Sequence, residues 1–144
     1  MYNSATLIGN LGQDPEIRAT HNGSEIASFT LATSESWRDK ASGERKSVTE
    51  WHRIVVFNEA LVKLCKSYLK KGSKIWIQGQ IKTRKWTDKD GADKYTTEIV
   101  LQNYGGTILM LDGKQEREPT THDTAKQDGY APQGSVELDD KIPF

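Results

Sequence analysis

A chain of 144 residues, 35% apolar and 28% charged with a formal net charge of zero, has the size of one domain plus an appendage and can bury a respectable core. A mean hydropathy of −0.71, and no apolar run near the ~20 residues that a spanning helix needs, exclude a helical membrane protein; the opening residues show no basic-then-apolar secretory leader. The single cysteine, Cys65, excludes an intramolecular disulfide and a Cys-built zinc centre, and it suits a reducing compartment.

The elements follow in order. Ala5 to Leu11 has strand composition and ends at Gly12, with Asp14-Pro15 as a turn. Glu16 to Thr20 leads into Asn22-Gly23, a hairpin signal, and Ile26 to Ser34 alternates as a half-buried strand. Ser36 to Ser47 is polar, charged and Gly-containing and reads as a mobile loop. Val48 to Phe57 is the third long strand, after which Asn58 is placed to cap a helix over Glu59 to Tyr68. Its apolar positions are Ala60, Leu61, Leu64, Cys65 and Tyr68, and Lys70-Lys71-Gly72 closes it. Lys74 to Thr83 and Lys94 to Leu101 form the next two strands, joined by a charged hairpin tip over Arg84 to Gly91. Thr107 to Leu111 is a last short apolar run.

Residues 1–113 carry 16 Lys and Arg against 13 Asp and Glu, whereas residues 114–144 carry 4 against 7. A mildly basic body is thus followed by an acidic appendage. Apolar content collapses from Gly113 onward, so residues 113–137 read as a disordered linker. Residues 138–144, Leu-Asp-Asp-Lys-Ile-Pro-Phe, place apolar groups beside two carboxylates, the outline of a short peptide ligand.

Short strands with one helix between the third and fourth long ones predict an all-β fold with one helix: a five-stranded OB-fold, a Greek-key barrel, over residues 1–112 with extended hairpins. Fold alone does not decide function; the side chains do. Trp51, Arg53, Val55 and Phe57 share one side of their strand, and His52, Ile54 and Val56 share the other. Trp37 stands beside Arg38 and near Lys40, and Trp86 beside Arg84 and Lys85. Rings interleaved with cations stack on nucleobases of any identity and neutralise phosphates. The expected stacking residues are therefore Trp37, Trp51, Phe57 and Trp86, and Arg84 is expected to face phosphate.

The blocks Gly9-Asn10-Leu11-Gly12-Gln13-Asp14-Pro15-Glu16, Thr33-Ser34-Glu35-Ser36-Trp37-Arg38-Asp39-Lys40, Thr49-Glu50-Trp51-His52-Arg53, Gly79-Gln80-Ile81-Lys82-Thr83-Arg84-Lys85-Trp86-Thr87-Asp88 and Tyr95-Thr96-Thr97-Glu98 closely resemble the bacterial single-stranded-DNA-binding protein family. The resemblance implies a homotetramer of OB-folds that wraps single-stranded DNA in replication, recombination and repair. It further implies a cytoplasmic, nucleoid-associated protein that is not an enzyme and uses no cofactor and no metal. By the same resemblance Trp37, Trp51, Phe57 and Trp86 match stacking aromatics, Lys40, Arg53, Lys71 and Lys85 match phosphate-facing cations, and His52 matches a subunit-interface residue. Asp139, Asp140, Ile142, Pro143 and Phe144 resemble the tip that recruits replication, recombination and repair proteins. The chain departs from the family pattern at Lys141, inside the usual acidic run, at Ser4 and Glu59, where lysines are frequent, and in a short tail.

Two other classes compete with this reading. A metal-dependent nuclease would draw its carboxylates from Asp14, Glu16, Asp39, Asp88 and Asp90, which fall in separate turns without one site's spacing. An RNA-binding or primosome-type adaptor on the same barrel would need neither four stacking rings nor the acidic tip.

Overall fold

The computed structural model describes residues 1–113. It consists of β1 (Ala5–Leu11), β2 (Glu16–Ala19), β3 (Glu25–Arg38), β4 (Arg45–Val56), α1 (Glu59–Tyr68), β5 (Lys74–Thr87), β6 (Asp93–Leu101) and β7 (Thr107–Met110). Antiparallel pairing runs from β1 to β3 and from β3 to β4, a parallel step joins β4 to β6, and β6 pairs antiparallel with β5. Because β5 also pairs antiparallel with β1, the ring closes and the five strands form the expected barrel. Strand β2 lies along β3 and β7 along β5. Closure removes the open edges that a sheet of this size would otherwise expose.

Alternation determines what faces inward. Phe29 and Leu31 on β3, Ile54 and Val56 on β4, Ile75 and Ile77 on β5, and Leu101 on β6 are buried and pack with Leu11 and Ile108 into one core. Helix α1 begins where the Asn58 side chain accepts the amides of Ala60 (2.9 Å) and Leu61 (3.3 Å), satisfying two donors that the first turn leaves free. Its buried residues are Val62 and Cys65, followed by Leu69 at the C-cap, with Leu61 and Leu64 half-buried. Ala60 and Tyr68, placed on the apolar stripe by periodicity, face solvent instead. The stripe is turned toward Val62 because the core lies along the side of the helix that meets β3.

The long hairpins are more regular than the sequence predicts. Residues 36–38 and 45–47, read above as loop, are strand: Ser36 pairs with Ser47, Trp37 with Lys46 and Arg38 with Arg45. Arg84 to Thr87, read as hairpin tip, likewise continue β5 and pair with Thr96 to Asp93. Two ribbons thus project from the barrel, with turns confined to residues 39–44 and 88–92. Their side chains are solvated on both sides, so no apolar alternation marks them as strand.

Candidate nucleic-acid interface

The site is built first from β4. Trp51 and Arg53 are exposed and Val55 is half-buried, while Ile54 and Val56 on the opposite side are fully buried. Phe57 lies one residue past the strand, with its amide donated to Leu101 O (2.8 Å), and its ring is exposed. Trp51 remains 61% exposed, yet its ring is seated. A β-carbon built on Gly12 would fall 2.4 Å from Trp51 Cζ3 and 3.0 Å from Cη2, so the indole lies against bare backbone. Gly12 is itself fixed by its amide bond to Thr30 O (3.0 Å). A glycine is required by that close approach.

The second part is the β5–β6 ribbon. Arg84 pairs across from Thr96, Trp86 from Lys94 and Lys82 from Glu98, which puts Lys82, Arg84 and Trp86 on one face with Lys94, Thr96 and Glu98. Trp86 Nε1 donates to Thr96 Oγ1 (2.8 Å), and Lys94 Nζ stands 5.9 Å from the ring centroid, so this indole too is held in place. Arg84 Nε donates to Glu98 Oε1 (2.9 Å). The parallel register that pairs Ile54 with Ile99 brings Glu98 alongside Arg53. Arg53, Val55 and Phe57 accordingly line one hollow with Arg84 and Glu98, joined by Glu16 and Arg18 from β2. Trp51, Arg53, Phe57, Arg84 and Trp86 thus belong to one continuous surface.

Other expected residues lie elsewhere. Trp37 is exposed, but its pairing with Lys46 sets it on the face of the β3–β4 ribbon shared by Leu31 and His52, opposite to Trp51 and Arg53. It also stands five pairs out along the ribbon from Trp51, roughly 17 Å at strand rise. One protomer does not bring it into line with Trp51. Lys85 pairs across from Tyr95, on the opposite face to Arg84 and Trp86, and its ammonium is 3.1 Å from Asp93. Lys71 is exposed in the turn after α1, where its amide donates to Asp14 Oδ1 (2.7 Å); that turn adjoins the Gly12 segment under Trp51. Lys40 is exposed beside Asp39 in the turn of the β3–β4 ribbon. Asp39 accepts Ala41 N (3.1 Å) and Ser42 Oγ (3.0 Å) and pairs with Lys46 Nζ (3.1 Å). The Ala41 amide, then Lys46 and Ser42, hold its carboxyl below the ordinary 3.8. His52 is half-buried, with Nε2 2.8 Å from Thr33 Oγ1. Asp139, Asp140, Ile142, Pro143 and Phe144 lie outside the described residues, as does the linker from residue 114.

Sequence reading missed two neighbours of this surface. Tyr104 is 92% exposed and lines a second hollow with Phe57, Gln102 and Asn103; an aromatic before the Gly105-Gly106 turn was its only signal. Glu98 reads as an ordinary polar position in an alternating strand, and its tie to Arg84 emerges only from the register. The carboxylates Asp14, Glu16, Asp39, Asp88 and Asp90 do not converge: among the described residues no group of three His, Cys, Asp or Glu side chains is placed to hold a metal ion.

Comparison with known proteins gives a consistent result. The model of the single-strand binding protein family matches residues 2–107. The chain is 45% identical over 148 residues to a single-stranded DNA-binding protein of Rickettsia felis, covering 99% of this chain and 97% of that one. It is 56% identical over 112 residues to the protein of the same description from Rhizobium meliloti, covering 78% and 64% respectively. Among solved structures it resembles a Plasmodium falciparum SSB in complex with ssDNA, with a TM-score of 0.70 and 42% identity, over 78% of this chain and 96% of that one.

Proposed function

This chain belongs to the single-strand binding protein family, and from that premise we propose that it binds single-stranded DNA without sequence preference, using the surface formed by Trp51, Arg53, Phe57, Arg84 and Trp86. The observation that carries this reading is the hollow lined by Arg53, Phe57 and Arg84, with the seated ring of Trp51 two residues from Arg53 on one strand and that of Trp86 two residues from Arg84 on another. A ring offers its face to any base, at about 1–3 kcal/mol each. The cations add a salt-dependent, sequence-blind term through counterion release. Proteins of this family bind DNA and are not enzymes, and the roles that follow for this chain are the protection of exposed strands in replication, recombination and repair.

The finer assignments belong to the same proposal. Trp37 and Lys40, at the far end of the β3–β4 ribbon, serve a strand that passes from one protomer to another in a homotetramer. His52, between the barrel and that ribbon, lies at a subunit contact. Lys71 and Lys85 meet phosphates from the margins of the surface. Residues 139–144 recruit replication, recombination and repair proteins through Asp139, Asp140, Ile142, Pro143 and Phe144, with the work done in the cytoplasm at the nucleoid. No helix among the described residues is long and apolar enough to cross a membrane.

Titrating the full chain with oligo-dT, with tryptophan quenching and fluorescent-oligomer anisotropy as readouts, tests the central statement. Tight binding that falls with NaCl and exceeds binding to duplex of equal length is expected. Equal affinity for duplex and single strand would refute it.

A further inference from the structure

The following inference rests on the reading that the ligand is single-stranded DNA. Glu98 is a carboxylate at the centre of a surface meant for a polyanion. It is 8% exposed, paired across the ladder from Lys82, alongside Arg53 in β4, and bonded to Arg84 Nε at 2.9 Å. The Arg84 side chain, by contrast, remains 58% exposed. Arg53 lines the same hollow, and among the described residues no carboxylate pairs with it.

These two arginines meet DNA differently. A phosphate that took Arg84 for itself would leave the Glu98 carboxylate buried and unpaired, which is costly. A phosphate sharing Arg84 with Glu98 would face a like charge across the guanidinium. A nucleobase incurs neither penalty, since it is uncharged and can stack on the guanidinium plane. The bond to Glu98 runs through Nε and leaves the terminal amino groups for base edges. We propose that the Arg84–Glu98 pair is a charge-neutral platform for nucleobases, in which Glu98 is the positioning residue that withholds Arg84 from phosphate while Arg53 neutralises the backbone. Arg84 is thereby reassigned from the phosphate role that its place beside Trp86 suggests.

The experiment measures the affinity of the full chain for fluorescein-labelled oligo-dT across a series of NaCl concentrations, for the natural protein, Arg84→Ala, Glu98→Gln and the double variant. Arg84→Ala is expected to weaken binding about fivefold or more, one modestly stacked base, with the slope of log K against log salt unchanged. Glu98→Gln should steepen that slope by about 0.7 for each protomer the strand crosses, because a freed arginine then gains a phosphate. The double variant should return to the natural slope. A slope shallower by about 0.7 in Arg84→Ala would identify a phosphate ligand and overturn the proposal. So would an unchanged slope in Glu98→Gln, or a steepened one that survives in the double variant. If Glu98→Gln does not fold, the slope of Arg84→Ala decides alone. Absence of oligo-dT binding by the natural protein would overturn the proposed function and this inference together, whereas binding with the contrary slopes overturns only the inference.

Discussion

Replacing Trp51 by alanine separates binding from folding, because the residue is 61% exposed and only its inner side rests on Gly12. Two contributions are lost. The covered two-fifths of a tryptophan amounts to roughly 100 Å², worth at most roughly 2.5 kcal/mol of folding free energy. On the proposed reading the exposed face stacks on one base, about 1–3 kcal/mol, or roughly 5- to 140-fold in affinity. The Ile54–Val56 core behind it is untouched, so the variant should fold with a lowered melting temperature and bind weakly at a temperature where it is fully native. Oligo-dT anisotropy at 25 °C beside a thermal unfolding curve measures both. Trp51→Phe, which keeps a smaller ring, should recover part of the affinity. Affinity within twofold of the natural protein would refute the stacking role, and so would a loss that appears only where the variant is unfolding.

Gly12→Ala should expel the Trp51 ring from its seat, since the new methyl would lie 2.4 Å from Cζ3; an altered near-ultraviolet tryptophan spectrum and weaker oligo-dT binding are expected, and unchanged values of both would disprove the packing. Asn58→Ala removes the acceptor for the Ala60 and Leu61 amides and should cost about 1 kcal/mol, or roughly 3–5 °C in melting temperature, with DNA affinity preserved; no thermal change would show the cap to be dispensable. Burial pushes the Cys65 thiol up from 9.0 to about 12. The unfolded thiol therefore ionises first, and stability should be intact below pH 9 and decline toward pH 12. Alkylation at pH 8 should be slow until the chain unfolds; rapid labelling of the native protein would contradict the burial.

The barrel was legible where one face of a strand is buried. Ile75, Ile77 and Gly79 alternate with Trp76, Gln78 and Gln80, and the Trp51–Phe57 stretch divides as its parity predicts. The cap at Asn58 and the span of α1 followed from side-chain chemistry alone. The ribbons were not legible, because residues 36–38, 45–47 and 84–87 are solvated on both faces, so pairing rather than burial makes them strands. That omission also concealed the side on which Trp37 lies, since a residue assigned to a loop has no parity. The bond between Arg84 and Glu98 spans 14 positions of chain, and no local pattern carries a contact set by register.

The projecting ribbons divide the molecule thermodynamically. Each has only two strands and no buried side of its own, and such hairpins are marginal when isolated. Their amides should therefore exchange with solvent through openings of low free energy, while those of Ile54, Ile77 and Leu101 wait for the barrel itself to unfold. Twisting or bending a ribbon disturbs no part of the buried core, so it can follow the curvature of a bound polymer at small cost. Cooperativity resides in the barrel and adaptability in the arms, and a ligand that spans both will slow exchange in the arms by closing their local openings and in the barrel by raising the free energy of global unfolding.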